Sequence, residues 1–213
     1  MNLWGMTCVE HNPDSWEGWQ WGGDHMCGFS SRLGIPEQYD LLEDALKNVE
    51  MMVFWSSDPE TTGGVYAAHE STSRRQWLKE LGVKMVFIDP YFNHTQALLG
   101  DKWFSPRLGT DVAMGLAVAF AWLTEGTYDK EYVKTHTVGF DKFADYVLGK
   151  EDGVPKTPAW ASPKCGVPEW TIKALAKQFA AKKTSIAHHY GGSMIRGPYS
   201  TEPARLECLL LGM

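Results

Sequence analysis

Residues able to do chemistry fall in two groups. In the first, His11, Asp14, Ser15 and His25 lie among Trp4, Trp16, Trp19 and Trp21 near the amino terminus. Aromatic neighbours desolvate a carboxylate, raise its pKa and suit it to general acid/base work. Asp14-Ser15 also reads as the cap of a short helix near Trp16–Met26, with Glu17 well placed in its first turn. A serine–histidine nucleophile pair is a weaker reading, because no G-x-S-x-G turn exposes the serine.

The second group lies in polar turns that follow apolar runs. Trp55–Thr62 offers the hydroxyls of Ser56, Ser57 and Thr61 ahead of Gly63-Gly64, a set that suits a phosphate. Asp89–Asn93 offers the Asp89 carboxylate as an acceptor for a ribose hydroxyl or the amino edge of a purine. His189–Ser193 is a third polar turn, and Ser105–Asp111 sets another carboxylate, Asp111, at a helix start, where it also favours the helix dipole. Asp-Pro after a strand is most often only a turn, and paired His188-His189 reads as packing more readily than as a metal site. Neither GxGxxG nor a P-loop occurs, so ligand binding is suggested by arrangement and not by a fingerprint.

These turns need a frame. The chain has 213 residues, 44% of them hydrophobic, and a net charge of −6, a globular profile with enough apolar residues for a sizeable core. No uninterrupted apolar run approaches the roughly 20 residues of a membrane span. The acidic balance argues against nucleic acid as a partner. Cys8, Cys27, Cys165 and Cys208 lie far apart without a CxxC pair and read as reduced thiols of a cytoplasmic chain.

Residues 1–35 read as an irregular active-site segment, and residues 36–213 as an α/β region with a parallel, Rossmann-like sheet covered by helices. The spacing predicts a helix over Pro36–Lys47 with Leu41, Leu42, Ala45 and Leu46 inward, a buried strand over Val49–Trp55, and a helix over Val65–Leu81 closed by Gly82. A second strand is expected over Lys84–Ile88 and a third over Thr184–His188. Thr110 is expected to cap a helix over Asp111–Thr124 that Gly126 ends, with shorter helices over Asp129–His136 and Asp141–Leu148. Residues 150–163 read as loop with a helical turn near Ala159. Pro168 opens a helix to Lys182 with Trp170, Ile172, Leu175, Ala176 and Phe179 inward, and Thr201–Leu211 begins a last helix.

Six segments in order carry a resemblance: FWSSDPETT (54–62), VFIDPYFNHT (86–95), LGDKWFSPRLGTDVAMGLAVAFAWLTEGTYDKEYV (99–133), VGFDKFADYVLGKEDGVPKTPAWA (138–161), VPEWTIKALAKQFA (167–180) and HHYGGSMIRG (188–197). Together they resemble the molybdopterin-binding region of the dimethyl sulfoxide reductase family of molybdenum and tungsten enzymes. The resemblance implies a bis-molybdopterin guanine dinucleotide cofactor holding molybdenum, with tungsten the other possibility. Carried over by position, it implies that Trp55, Ser56, Ser57, Asp58 and Thr61, then Asp89 and Tyr91, contact a guanosine diphosphate portion. Gly109 and Asp111 fall where guanine is met, and Tyr190, Gly191 and Gly192 where the other pterin is lined.

Within the family, Asp14-Ser15-Trp16 resembles the large subunit of members that move a hydroxyl group from pyrogallol to phloroglucinol, without net redox change, in anaerobic aromatic degradation. That resemblance makes Ser15 the metal ligand, Asp14 the acid/base group facing a phenolic substrate and Trp16 the packing surface for its ring. A serine oxygen is a hard donor suited to oxidised molybdenum; Cys8 or Cys27 is the alternative ligand. It also implies a small iron–sulfur partner subunit and a larger multidomain oxidoreductase of which this chain is a fragment, cut within its last helix. Two other functions stay open: a reductase of oxyanions or S- and N-oxides, and a non-catalytic nucleotide-binding or scaffold module.

Overall fold

Residues 51–55 are apolar at all five positions and every one is buried, which a strand can achieve only when both faces of its sheet are covered. A computed structural model describes residues 17–28, 41–62, 68–187, 199 and 201–213 of the chain. In it, strands β1 (Met51–Trp55), β2 (Lys84–Ile88), β3 (Lys102–Phe104) and β4 (Thr184–Ala187) form one sheet in the order β3-β2-β1-β4, and every pairing is parallel. The helices among the described residues are α1 (Glu17–Cys27), α2 (Leu41–Asn48), α3 (Pro59–Thr62), α4 (Ala68–Glu80), α5 (His94–Leu99), α6 (Asp111–Glu125), α7 (Lys130–His136), α8 (Phe140–Val147), α9 (Pro158–Cys165), α10 (Glu169–Ala181) and α11 (Thr201–Leu211).

Alternate side chains serve opposite layers, as the pleat dictates. Met51, Val53 and Trp55 of β1, with Val86 and Ile88 of β2, pack on α6, α10 and α11 through Met114, Val118, Ile172, Leu175, Leu206 and Leu210. Met52, Phe54, Met85 and Phe87 face the other way, against Leu78 of α4, Leu99 of α5 and Ala45 and Leu46 of α2. Phe54 and Phe87 are register partners, and their rings stack with centroids 4.5 Å apart.

Two glycines allow close helix approach. A Cβ on Gly115 of α6 would stand 2.5 Å from Cδ2 of Leu206 on α11, and one on Gly22 of α1 would stand 2.6 Å from the Thr201 carbonyl of α11. Thus α11 lies between α1 and α6.

The expected parallel α/β architecture is present, and several local expectations need correction. Thr110 makes no side-chain cap; its hydroxyl donates to the Arg107 carbonyl at 2.6 Å instead. Trp170 is 74% exposed, because the inward stripe of α10 runs through Ile172, Leu175, Ala176 and Phe179. Pro168 caps α10 from outside its first turn. The segment near Ala159 is a full helix, capped by Thr157, which accepts from the Trp160 N–H at 3.0 Å. Asp58-Pro59 leads into the one-turn α3, and the sheet gains an edge strand, β3, with α5 before it.

Phe87 is fully buried in the layer facing α4 and α5. Phe87→Ala is expected to lower unfolding stability by about 3–5 kcal/mol, read by urea denaturation. A loss under about 1 kcal/mol would mean that the stacked pair does not anchor this layer.

Candidate functional site

The described polar residues converge where the strands end. Beyond β1 the chain turns at Ser56, whose φ of 49° lies in the left-handed region that non-glycine residues seldom occupy. Its N–H still donates to the Ile88 carbonyl at 2.7 Å, so the ladder to β2 continues one residue past the strand. The Asp89 N–H likewise donates to the Phe104 carbonyl at 3.1 Å. These bonds fix the two turns side by side. Ser56, Ser57, Asp58, Asp89, Asn93, Thr95 and Asp111 are all buried there.

Asp111, at the start of α6, reaches the end of β1. Its Oδ1 accepts from Trp55 Nε1 at 2.9 Å and from Ser56 Oγ at 3.4 Å. Burial raises its pKa, and the bonds from Trp55 and Ser56 offset that only in part. Asp89 is raised too, first by burial and then by the Asp58 and Asp111 charges, against the lowering effect of bonds from the Tyr91 N–H at 3.1 Å and Asn93 Nδ2 at 3.1 Å. Asp58 has the opposite balance. Burial again pushes upward, but the Thr95 hydroxyl, Thr61 and the Thr95 and His94 N–H groups together hold it below 3.8. Its Oδ1 receives Thr95 Oγ1 at 2.7 Å and Thr95 N at 3.0 Å.

Around this centre lies a partly open rim. Thr61 Oγ1 is 3.1 Å from His94 Nδ1, and the Tyr91 side chain is exposed, its phenol pKa raised by partial burial and by the Asp89 and Asp58 charges. Gly109, with φ of 71°, turns the chain into α6. Behind the rim, Glu60 of α3 accepts from Arg75 Nε and Thr72 Oγ1 of α4, each at 2.6 Å. Trp103 Nε1 donates to the Asp89 carbonyl at 2.8 Å.

Of the residues singled out in the sequence, Trp55, Ser56, Ser57, Asp58, Thr61, Asp89, Tyr91, Gly109 and Asp111 thus line the strand ends. The Ser56 hydroxyl is already committed to Asp111. Asp14, Ser15, Trp16, Tyr190, Gly191 and Gly192 lie outside the described residues, as do His11, Cys8, Gly63, Gly64, His188 and His189. His25 is exposed on α1, with Nδ1 2.6 Å from the Trp21 carbonyl. Burial and neighbouring Cys27 push the Cys208 thiol up to about 12. Among the described residues, no group of three or more His, Cys, Asp or Glu is placed to hold a metal ion, and no helix is long and apolar enough to cross a membrane.

Chemically, the strand ends present two carboxylates with spare acceptor capacity beside the hydroxyl of Thr61, and an aromatic rim at Tyr91. That set can accept from base edges and ribose hydroxyls, while the Ser56 and Thr61 hydroxyls expected to meet phosphate already serve Asp111 and Asp58. Asn93 and Thr95 escaped the sequence reading, although N-x-x-Q ahead of a helix is a cap signal for Asn93.

No family model matches the chain. It is 63% identical over 187 residues to the pyrogallol hydroxytransferase large subunit of Pelobacter acidigallici, a match covering 88% of this chain and 21% of the relative. It is 39% identical over 158 residues to a dimethyl sulfoxide/trimethylamine N-oxide reductase of Rhodobacter capsulatus, covering 73% of this chain and 19% of the relative. The chain therefore spans about a fifth of the length of these relatives. Among solved structures, acetylene hydratase from Pelobacter acetylenicus superposes with a TM-score of 0.62 at 22% identity over 79% of this chain and 22% of the other, a likeness of fold.

Because Asp111 binds its proton more tightly folded than unfolded, its contribution to stability falls as pH rises from 3.8 through the folded value. Asp111→Asn removes the buried charge and keeps an acceptor for Trp55 Nε1. The variant's thermal midpoint should gain on the wild type progressively as pH rises above 3.8; a constant difference across pH would refute the assignment.

Proposed function

The chain belongs to the dimethyl sulfoxide reductase family of molybdopterin enzymes, and from that premise we propose that it forms part of a molybdenum-enzyme catalytic subunit that transfers a hydroxyl group between polyhydroxylated benzenes, pyrogallol to phloroglucinol, without net redox change. The observation that carries this reading is the 63% identity to the pyrogallol hydroxytransferase large subunit across 88% of the chain.

The cofactor of the reading is molybdenum, or tungsten, held by two molybdopterin guanine dinucleotides. The strand-end donor set fits the nucleotide part of such a group. Asp111 and Gly109 meet guanine; Asp89 and Tyr91, with the Trp55–Thr61 turn (Trp55, Ser56, Ser57, Asp58 and Thr61), meet the guanosine diphosphate portion. Tyr190, Gly191 and Gly192 line the second pterin. When bound, the group supplies a Lewis-acidic metal that polarises a phenolic oxygen and takes electrons transiently.

The chain's own residues do the rest. Ser15 offers its hydroxyl oxygen as the hard protein ligand. Asp14, one residue away, exchanges protons with the substrate hydroxyls, and Trp16 packs on the aromatic ring. A small iron–sulfur subunit is the proposed partner, and the cytoplasm the proposed compartment. The 39% identity to a dimethyl sulfoxide/trimethylamine N-oxide reductase favours a second reading, reduction of an oxyanion or an S- or N-oxide.

The full-length protein, purified without oxygen, is expected to hold molybdenum or tungsten and to convert pyrogallol. Asp14→Asn should keep the metal and lose turnover by roughly a hundredfold or more, whereas Ser15→Ala should lose metal. Reduction of N-oxides by a dye donor, with no action on trihydroxybenzenes, would select the second reading. Near-normal turnover in Asp14→Asn would remove that residue from the chemistry.

A further inference from the structure

One buried side chain joins the two turns on which the nucleotide reading rests. Asn93 is 1% exposed and sits just ahead of α5. Its Oδ1 accepts from the Gln96 N–H at 2.8 Å, which caps the helix. With the oxygen committed there, Nδ2 faces two groups that can only accept: Asp89 Oδ2 at 3.1 Å, on the turn after β2, and the Ser57 carbonyl at 3.3 Å, on the turn after β1. The acceptor character of both partners fixes which way round the carboxamide lies.

The Asp89 carboxylate is thereby held from both sides, since its Oδ1 takes the Tyr91 N–H. Of the four lone-pair directions of a carboxylate, these two bonds use two. A free carboxylate would sample several rotamers and would have to be ordered on binding, a cost that pre-organisation removes. An aspartate at position 93 would cap α5 equally well but would set a second carboxylate against Asp89. The side chain must therefore both accept at the helix and donate across the turns, as a carboxamide does.

We propose that Asn93 is a positioning residue for nucleotide recognition, orienting Asp89 and locking the turn after β2 to the turn after β1. This rests on the reading of the strand ends as the site for the cofactor's guanine nucleotide.

Asn93→Ser separates the two roles of the side chain. A serine hydroxyl still caps α5, while its short reach cannot span to both Asp89 and Ser57. In full-length protein prepared free of cofactor, with GDP as the probe in titration calorimetry, Asn93→Ser is expected to weaken binding roughly tenfold or more. Its ligand-free thermal midpoint should fall less than that of Asn93→Ala, because the cap is kept. Asn93→Asp, an equally good cap, should weaken GDP binding further, and Asn93→Ala should lower both binding and the midpoint. Asp89→Ala is measured alongside. If it abolishes binding while Asn93→Ser and Asn93→Asp bind GDP like the wild type, the positioning role is wrong and the nucleotide site stands. If all of them, Asp89→Ala included, bind like the wild type, the nucleotide reading falls and the proposal with it. If Asn93→Ser and Asn93→Asp lose binding only together with a collapse of the midpoint, the carboxamide serves to hold the two turns together for folding, and the positioning role is wrong.

Discussion

Burial of β1 and β2 on both faces leaves no room for polar chemistry along the sheet, because an unpaired polar group between its layers would cost about 1–3 kcal/mol. The strand ends are where hydrogen-bonding groups can gather, and the turns there carry the strand pairing one residue further, through Ser56 to Ile88 and through Asp89 to Phe104. The apolar core therefore determines where buried polar groups can gather as well as holding the fold together. Trp55 shows the transition within one side chain: its rings belong to the core while its indole N–H serves Asp111.

Three carboxylates meet at this end, and their environments sort them. Asp58 receives enough donors to remain a comfortable anion, and it ties α5 to the turn after β1 through Thr95. Asp89 and Asp111 are left under-compensated by the protein alone. On the proposed reading, the donors of a base edge or a ribose hydroxyl would complete their environment. The division between one well-compensated carboxylate and two less compensated ones follows from the number and quality of donors each meets, since all three are buried.

Much of this was legible in the residues. Lys84–Ile88 and Thr201–Leu211 have the bounds expected of them, and β1, α6 and α10 differ by a residue or two at an end, where helices and strands fray. β3 could not be read, because three residues with two exposed positions make no apolar run. Pro163 inside α9 disguised a helix whose cap, Thr157, is sound. Asp89 and Asp111 announced themselves as carboxylates after a strand and at a helix start. The bond from Asn93 to Ser57 and those from Thr95 to Asp58 did not, because these partners lie 36 and 37 residues away in sequence, on a turn that only the folded sheet brings near.

The glycine-permitted seating of α11 has a mechanical meaning. On one side it bears on α6, whose first residue is Asp111; on the other it carries α1, which begins at Glu17, next in sequence to Asp14-Ser15-Trp16. Ala204 and Leu206 thus act as a fulcrum between the helix that starts at the carboxylate and the helix that follows the amino-terminal acid–serine pair. Thickening either contact would push α1 and α6 apart, so the seating of α11 sets the span between the helix that starts at Asp111 and the helix that follows the amino-terminal segment.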